Sequence, residues 1–114
     1  MLRTHTCGEL TAAHIGQTVT LSGWVDTRRD HGGVIFIDLR DRYGITQTVF
    51  DPVSHPDAYT IADSARGEYV VNFTGIVRSR PEGQTNAKIA TGEIEVLISE
   101  AKILTKANTP PFEI

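Results

Sequence analysis

The sequence predicts an all-β protein, a five-stranded barrel with one short helix between the third and fourth strands. Three observations predict it. Apolar and polar residues alternate with a period of two through most of the chain, as in strands with one buried face. A single stretch, between Pro52 and Gly67, shifts to near-helical spacing. Clusters of glycine, proline and aspartate punctuate the rest at short intervals and leave room for five strands.

The elements follow in order. Gly16 and Gln17 read as a turn, and residues 17–29 as a first strand, with Val19, Leu21, Gly23 and Val25 on one face and Thr20, Ser22, Trp24 and Asp26 on the other. Gly23 inside that strand marks a bend or a close backbone approach. Asp30-His31-Gly32-Gly33 turns the chain into a hairpin with a second strand at 34–40, where Ile35, Ile37 and Leu39 share a face. Asp41-Arg42-Tyr43-Gly44 is the next turn, and 45–50 a third strand. Its alternation does not settle which side Gln47 takes, because Ile45 and Val49 share its phase. Asp51-Pro52 stops the strand; Tyr59, Ile61, Ala62 and Ala65 then place one helix over 57–66, ended by Gly67. A fourth strand spans 69–80. Arg80-Pro81-Glu82-Gly83 breaks it, and a polar loop runs on to Gly92. A fifth strand, 93–104, carries Ile94, Val96 and Ile98 on one face. Thr109-Pro110-Pro111-Phe112 cannot pair in a sheet, so residues 1–105 read as the domain and 106–114 as the start of a linker. A helix between strands three and four of five strands matches the OB-fold, a Greek-key barrel whose closure removes most exposed edges. A mixed β-sandwich is the alternative, for which five strands are few.

Composition narrows the function classes. The 114 residues are 39% hydrophobic and 22% charged, which fits a soluble globular domain large enough to bury a core of its own. No run approaches a membrane span, and the N-terminal residues lack the apolar core of a signal peptide. The lone cysteine, Cys7, forms no internal disulfide and suits the cytoplasm; it reads as a packing residue or a reactive thiol. A net charge of −3 argues against a protein that coats nucleic acid indiscriminately. Yet basic residues come in groups, Arg28 with Arg29, Arg40 with Arg42 and Arg78 with Arg80, and a guanidinium can fork onto a phosphate or a base edge.

One residue breaks the pattern. Phe36 falls with Val34, Asp38 and Arg40, opposite the isoleucines. Strands two and three of an OB-fold form an oligonucleotide platform, where an outward ring can stack on an unpaired base. Arg28, Arg29, Arg78 and Arg80, on strands one and four, are placed to track phosphates or read base edges, and the Gln47 amide to bond one. The alternative is that Phe36 covers a packing gap. Trp24 reads as packing under a loop, His31 as a solvated turn residue, Asp38 and Asp41 as partners of Arg40 or Arg42, and Glu93 and Glu95 as an ordinary strand edge. Enzyme chemistry has little support. There is no nucleophile elbow, phosphate-binding glycine loop or Cys/His metal cluster, and no carboxylate pair held at short helical spacing.

Gly23-Trp24-Val25, Arg28-Arg29-Asp30, the run Phe36-Ile37-Asp38-Leu39-Arg40-Asp41 and Ala90-Thr91-Gly92-Glu93-Ile94-Glu95-Val96 occur in order at suitable spacing. Together they resemble the N-terminal anticodon-binding domain of bacterial aspartyl-tRNA synthetases, over about residues 3–112. Asparaginyl- and lysyl-tRNA synthetases use the same OB-fold and match these segments less well. The resemblance implies that Phe36 stacks on the uracil at the second anticodon position and that Gln47 contacts the same base. It implies that Arg29 and Asp30 contribute around the first base, a guanine. Arg78 and Arg80 would approach the backbone or the third base; Arg28, from its place on strand one alone, is a candidate phosphate contact. The pairing of His31 with Gly83 looks like the version in non-discriminating enzymes, which charge both tRNA-Asp and tRNA-Asn. A class II catalytic domain would begin beyond Ile114 and use ATP and Mg²⁺. The parent enzyme would be a homodimer, and this chain a cofactor-free, metal-free monomer that binds tRNA without aminoacylating it. A stand-alone OB module for single strands, or a protein-interaction OB domain without a nucleic-acid role, are the competing expectations.

Overall fold

Alternating side chains sort the strands into an inner and an outer face. In the computed structural model, which describes residues 3–81 and 91–106, the strands are β1 (Thr18–His31), β2 (Val34–Asp41), β3 (Gly44–Phe50), β4 (Val70–Ser79) and β5 (Ile94–Thr105), with α1 (Pro56–Ser64) between β3 and β4. They close in the order β1-β2-β3-β5-β4, with β4 returning to β1. Neighbours are antiparallel except for a short parallel contact of β3 with β5, Thr48 opposite Val96 and Val49 opposite Leu97. This is the expected OB-fold architecture, with boundaries shifted by one or two residues. The linker expected from 106 onward lies, from residue 107, outside the described residues. Among the described residues no helix is long and apolar enough to cross a membrane.

Inside, Val19, Leu21 and Val25 meet Ile35, Ile37 and Leu39, with Val71, Phe73 and Val77 and then Ile94, Val96 and Ile98 completing the wall. The rings of Phe50 and Phe73 meet edge to face, centroids 5.0 Å apart. Helix α1 lies mainly against β5 and presents Ala58 and Ala62 to the core. Strand β3 departs from the rule of apolar residues inside: Thr46 and Thr48 point inward. Their hydroxyls donate to the Cys7 and Ile37 carbonyl oxygens at 2.7 and 2.8 Å, so neither is left unsatisfied. Ile45, Gln47 and Val49 are thereby turned outward, which settles the side of Gln47.

Three local devices shape the β1–β2 hairpin. The turn needs only Gly32 and Gly33, both at positive φ (59° and 85°), the geometry of a two-residue hairpin loop. A Cβ on Gly23 would run into the Arg40 carbonyl, which explains the glycine in mid-strand. Between Val25 and Thr27 the register against β2 slips: Val25 faces Leu39, Thr27 faces Asp38, and Asp26 is the extra residue of a β-bulge. The slip reverses the alternation, so that Thr27, Arg29 and His31 lie across from the outward Asp38, Phe36 and Val34.

Two pairings differ from expectation. Asp41 does not pair with Arg40 or Arg42; it is buried and accepts three backbone N–H groups, from Cys7, Tyr43 and Gly44, at 2.8, 2.8 and 3.1 Å. It thus closes the β2–β3 turn and ties down the N-terminal segment. Asp38 turns to Arg29, while Arg40 pairs with Asp26 on the bulge. Cys7 is fully buried, and desolvation together with the neighbouring Asp41 charge pushes its thiol far above the usual cysteine range, so it is a packing residue.

Truncating Phe73 to alanine opens a cavity at the centre of this core and should cost about 3–5 kcal/mol. In urea the expected result is a lower unfolding midpoint with an unchanged slope.

Candidate nucleic-acid interface

The outer faces of the strands line up in two rows. The polar row runs from Thr27 on β1 to Asp38 on β2 and Gln47 on β3. It continues to Glu95 on β5, one step before the Thr48–Val96 pair, and to Arg78 on β4, which lies opposite Glu95. Alongside it runs a second row: Arg29, Phe36 and Val49. Gln47, Glu95 and Arg78 of the first row and all three residues of the second line a groove of about 470 Å³ whose wall also includes His31, Val34, Asp51 and Pro81. Val49 is almost fully buried and Phe36 half-buried, with the His31 ring edge-on to it at 6.0 Å between centroids. The phenyl group is part of the outer wall, not of the barrel interior.

Glu95 organises the polar row. Its side chain is only 2% exposed, and a carboxylate removed from water needs partners. Arg78 Nε donates to Oε2 at 2.8 Å and Gln47 Nε2 donates to Oε1 at 2.9 Å. The Gln47 carbonyl oxygen accepts from Arg29 Nη2 at 3.1 Å and from Arg80 Nη1 at 3.3 Å. Arginine can only donate and a carboxylate only accept, so the amide has one consistent orientation. Arg29 also grips Asp38, at 2.8 and 3.4 Å, and Thr27 donates to the same carboxylate at 2.7 Å. Arg80 is steadied by the Ile94 carbonyl at 3.0 Å. Burial lowers the Arg80 pKa, while the Glu95 and Asp38 charges act to raise it. No buried side-chain nitrogen or oxygen among the described residues lacks a hydrogen bond.

The structure brings Phe36, Gln47, Arg29, His31 and Arg78 to one groove, with Arg80 reaching it from just beyond β4. It does not bring Arg28 and Asp30. These lie on the helix side of the bulge, where Arg28 donates to the Ala62 carbonyl at 3.2 Å and pairs with Asp63 and Asp30. Gly83 lies outside the described residues. Glu95, read from the sequence as an ordinary strand edge, is instead the buried hub. Its distinguishing signal was present but weak: a carboxylate flanked by Ile94 and Val96 on a strand whose opposite neighbour carries arginine.

Chemically, the groove offers a ring face, an apolar floor, one amide and several guanidiniums. Among the described residues the terminal nitrogens of Arg78 have no hydrogen-bond partner, and its side chain is 46% exposed. Arg29, Arg78 and Arg80 meet the carboxylates of Asp38, Asp51 and Glu95 there, and the terminal nitrogens of Arg78 remain to meet an anionic group. Such a site suits a flat heteroaromatic ring with a polar edge on an anionic backbone.

Residues 19–104 match the tRNA anti-codon family, described as an OB-fold nucleic acid binding domain. The chain belongs to this family. It is similar to aspartate–tRNA(Asp/Asn) ligases: 60% identical over 112 residues to that of Moorella thermoacetica and 54% over 112 residues to that of Protochlamydia amoebophila, 98% of this chain in each case. It spans about a fifth of the length of these relatives, 18% and 19% respectively. Its backbone is similar to asparaginyl-tRNA synthetase of Pyrococcus horikoshii, with a TM-score of 0.77 and 26% identity, over 94% of this chain and 23% of that one. Within this anti-codon OB domain, the outer face of β2, β3 and β5 is therefore the surface to test.

Replacing Glu95 by glutamine removes the charge that Arg78 meets while keeping the side chain's shape. The expected loss is about 1.5–3 kcal/mol, typical of a hydrogen bond to a charged group. Glu93→Gln, on the exposed face of the same segment, should stay within about 0.5 kcal/mol. Paired thermal melts of the two variants check this.

Proposed function

We propose that this chain is the anticodon-reading domain of an aspartate–tRNA ligase and that the groove holds the unpaired anticodon bases. The observation that carries the reading is Phe36, held on the outer wall beside the Arg29–Gln47–Glu95–Arg78 network. In it, Phe36 stacks on the middle base, a uracil, Gln47 meets its polar edge, and Arg29 contributes around the first base. A guanine at the first position presents ring and exocyclic N–H donors, and Asp51 and Glu95 are carboxylates lining the groove. Arg78 and Arg80 serve the backbone or the third base.

The names of the relatives support a parent enzyme that attaches aspartate to both tRNA-Asp and tRNA-Asn. The two anticodons differ at the third base, cytosine against uracil. A site without a firm donor or a steric wall against one pyrimidine separates them weakly. His31, on the groove's exposed rim, and Gly83 are the residues proposed to leave that position open. ATP and Mg²⁺ would be used, and the homodimer formed, by parts of the protein beyond this chain, in the cytoplasm; the isolated domain would be a monomer.

Phe36→Ala should weaken binding of a stem-loop bearing GUC or GUU by about 1–3 kcal/mol, the worth of one stacked base, measured by fluorescence anisotropy at fixed salt. Gln47→Ala should cost less and relax the preference at the second base. Equal affinity for any unstructured oligonucleotide would point to a general single-strand binder, and no RNA binding at all to a protein-interaction module. In competition, the full-length enzyme should aspartylate tRNA-Asp and tRNA-Asn at comparable rates; a strong preference for tRNA-Asp sinks the dual-substrate reading.

A further inference from the structure

Two imidazoles and a carboxylate converge away from the groove. His5, Glu9 and His14 each place a ligating atom within 4.8 Å of those of the other two, and none of the three lines the nucleic-acid groove. The histidine rings meet edge to face with centroids 5.2 Å apart. We propose that His5, Glu9 and His14 form a surface site for a divalent transition cation of the zinc type, with the fourth position left to water. Two nitrogen donors and one carboxylate suit Zn²⁺, Co²⁺ or Ni²⁺; Mg²⁺ and Ca²⁺ favour all-oxygen shells. A histidine pair with one carboxylate and an open position is a recurrent zinc donor set.

The backbone around the three residues is already ordered. Thr4 N–H donates to the Thr20 carbonyl at 2.9 Å, Cys7 N–H to Asp41 at 2.8 Å, and Gly16 N–H to the Val77 carbonyl at 2.8 Å. The segment carrying the ligands is therefore pinned to β1, β2 and β4, and little chain entropy remains to be lost on binding. Donors around a tetrahedral zinc lie about 3.4 Å apart, given bonds of about 2.0–2.2 Å. Side-chain rotation closes the remaining gap. The outer partners are also in place. His5 Nδ1 sits 2.8 Å from the Thr4 hydroxyl, which can hold the ring with its other nitrogen outward. Glu9 Oε1 accepts the Thr6 N–H at 2.7 Å, leaving Oε2 for the cation. His14 Nδ1 accepts the Thr11 N–H at 3.0 Å and lies 3.5 Å from the Thr11 hydroxyl. Ligation through the other ring nitrogen exchanges the first contact for the second.

Calorimetric titration of the untagged chain with Zn²⁺ should show one saturable site, and Co²⁺ should develop the intense visible absorption of tetrahedral coordination. Bound Zn²⁺ should raise the melting temperature in proportion to the logarithm of its free concentration. His5→Ala and His14→Ala should each weaken Zn²⁺ binding on the order of 100-fold, more than loss of an outer partner does. Because His14 also caps the turn at Ala12–His14, His5→Ala is the decisive variant; among the described residues its ring hydrogen-bonds the Thr4 hydroxyl and meets the His14 ring, and it caps no turn. Absence of saturable binding, or binding and a cobalt spectrum unchanged in the His5→Ala/His14→Ala double variant, would overturn the site.

Discussion

A carboxylate on the wall of a small barrel, almost sealed from water, sets the terms for everything around it. Glu95 is tolerated there because Arg78 and Gln47 approach it from the strands on either side. Once Gln47 has turned its amide nitrogen to Glu95, its oxygen must face the other way, and Arg29 and Arg80 supply the donors. One buried charge thus orders four other side chains drawn from three strands or their ends. Removing one partner of such a group leaves the rest desolvated and unpaired, which is why these networks stand or fall together.

Strands position this surface better than loops would. Hydrogen-bonded ladders hold Arg29, Phe36, Gln47, Glu95 and Arg78 at the spacing of neighbouring strands, so little order needs to be imposed when a ligand arrives. The β-bulge at Asp26 makes it possible. Without the extra residue, Arg29 and His31 would share the inward phase of Val25, and Arg28 would take the groove. With it, Arg28 turns instead to the C-terminal end of α1 and helps hold the helix against the barrel.

Charge balance follows from the same arrangement. The chain is net acidic, yet Arg29, Arg78 and Arg80 meet at one groove, where Asp38 and Glu95 neutralise part of their charge. The exposed pairs contribute little to stability, about 0–1 kcal/mol each. Their larger effect is to hold the guanidiniums in place while leaving the groove attractive to an anionic backbone.

By itself the sequence determined the strand count, the helix between β3 and β4, and the inward faces of β2 and β5. These rest on local periodicity, which the chain carries in its own order: Ile35, Ile37 and Leu39 read as core because burial on one face requires it. The outward setting of Phe36 was legible for the same reason. Tertiary structure alone decided the rest. Gln47 faces outward because Thr46 and Thr48 find carbonyl acceptors inside, one of them on the distant Cys7. Arg29 joins the groove and Arg28 leaves it through one unpaired residue, invisible to a period-two pattern. Asp38 pairs with Arg29 9 positions back, Asp41 reaches the Cys7 N–H 34 positions back, and Glu95 meets Arg78 and Gln47 at separations of 17 and 48. A polar group's partner is set by which strands become neighbours, and that is a property of the closed sheet, not of any stretch of chain.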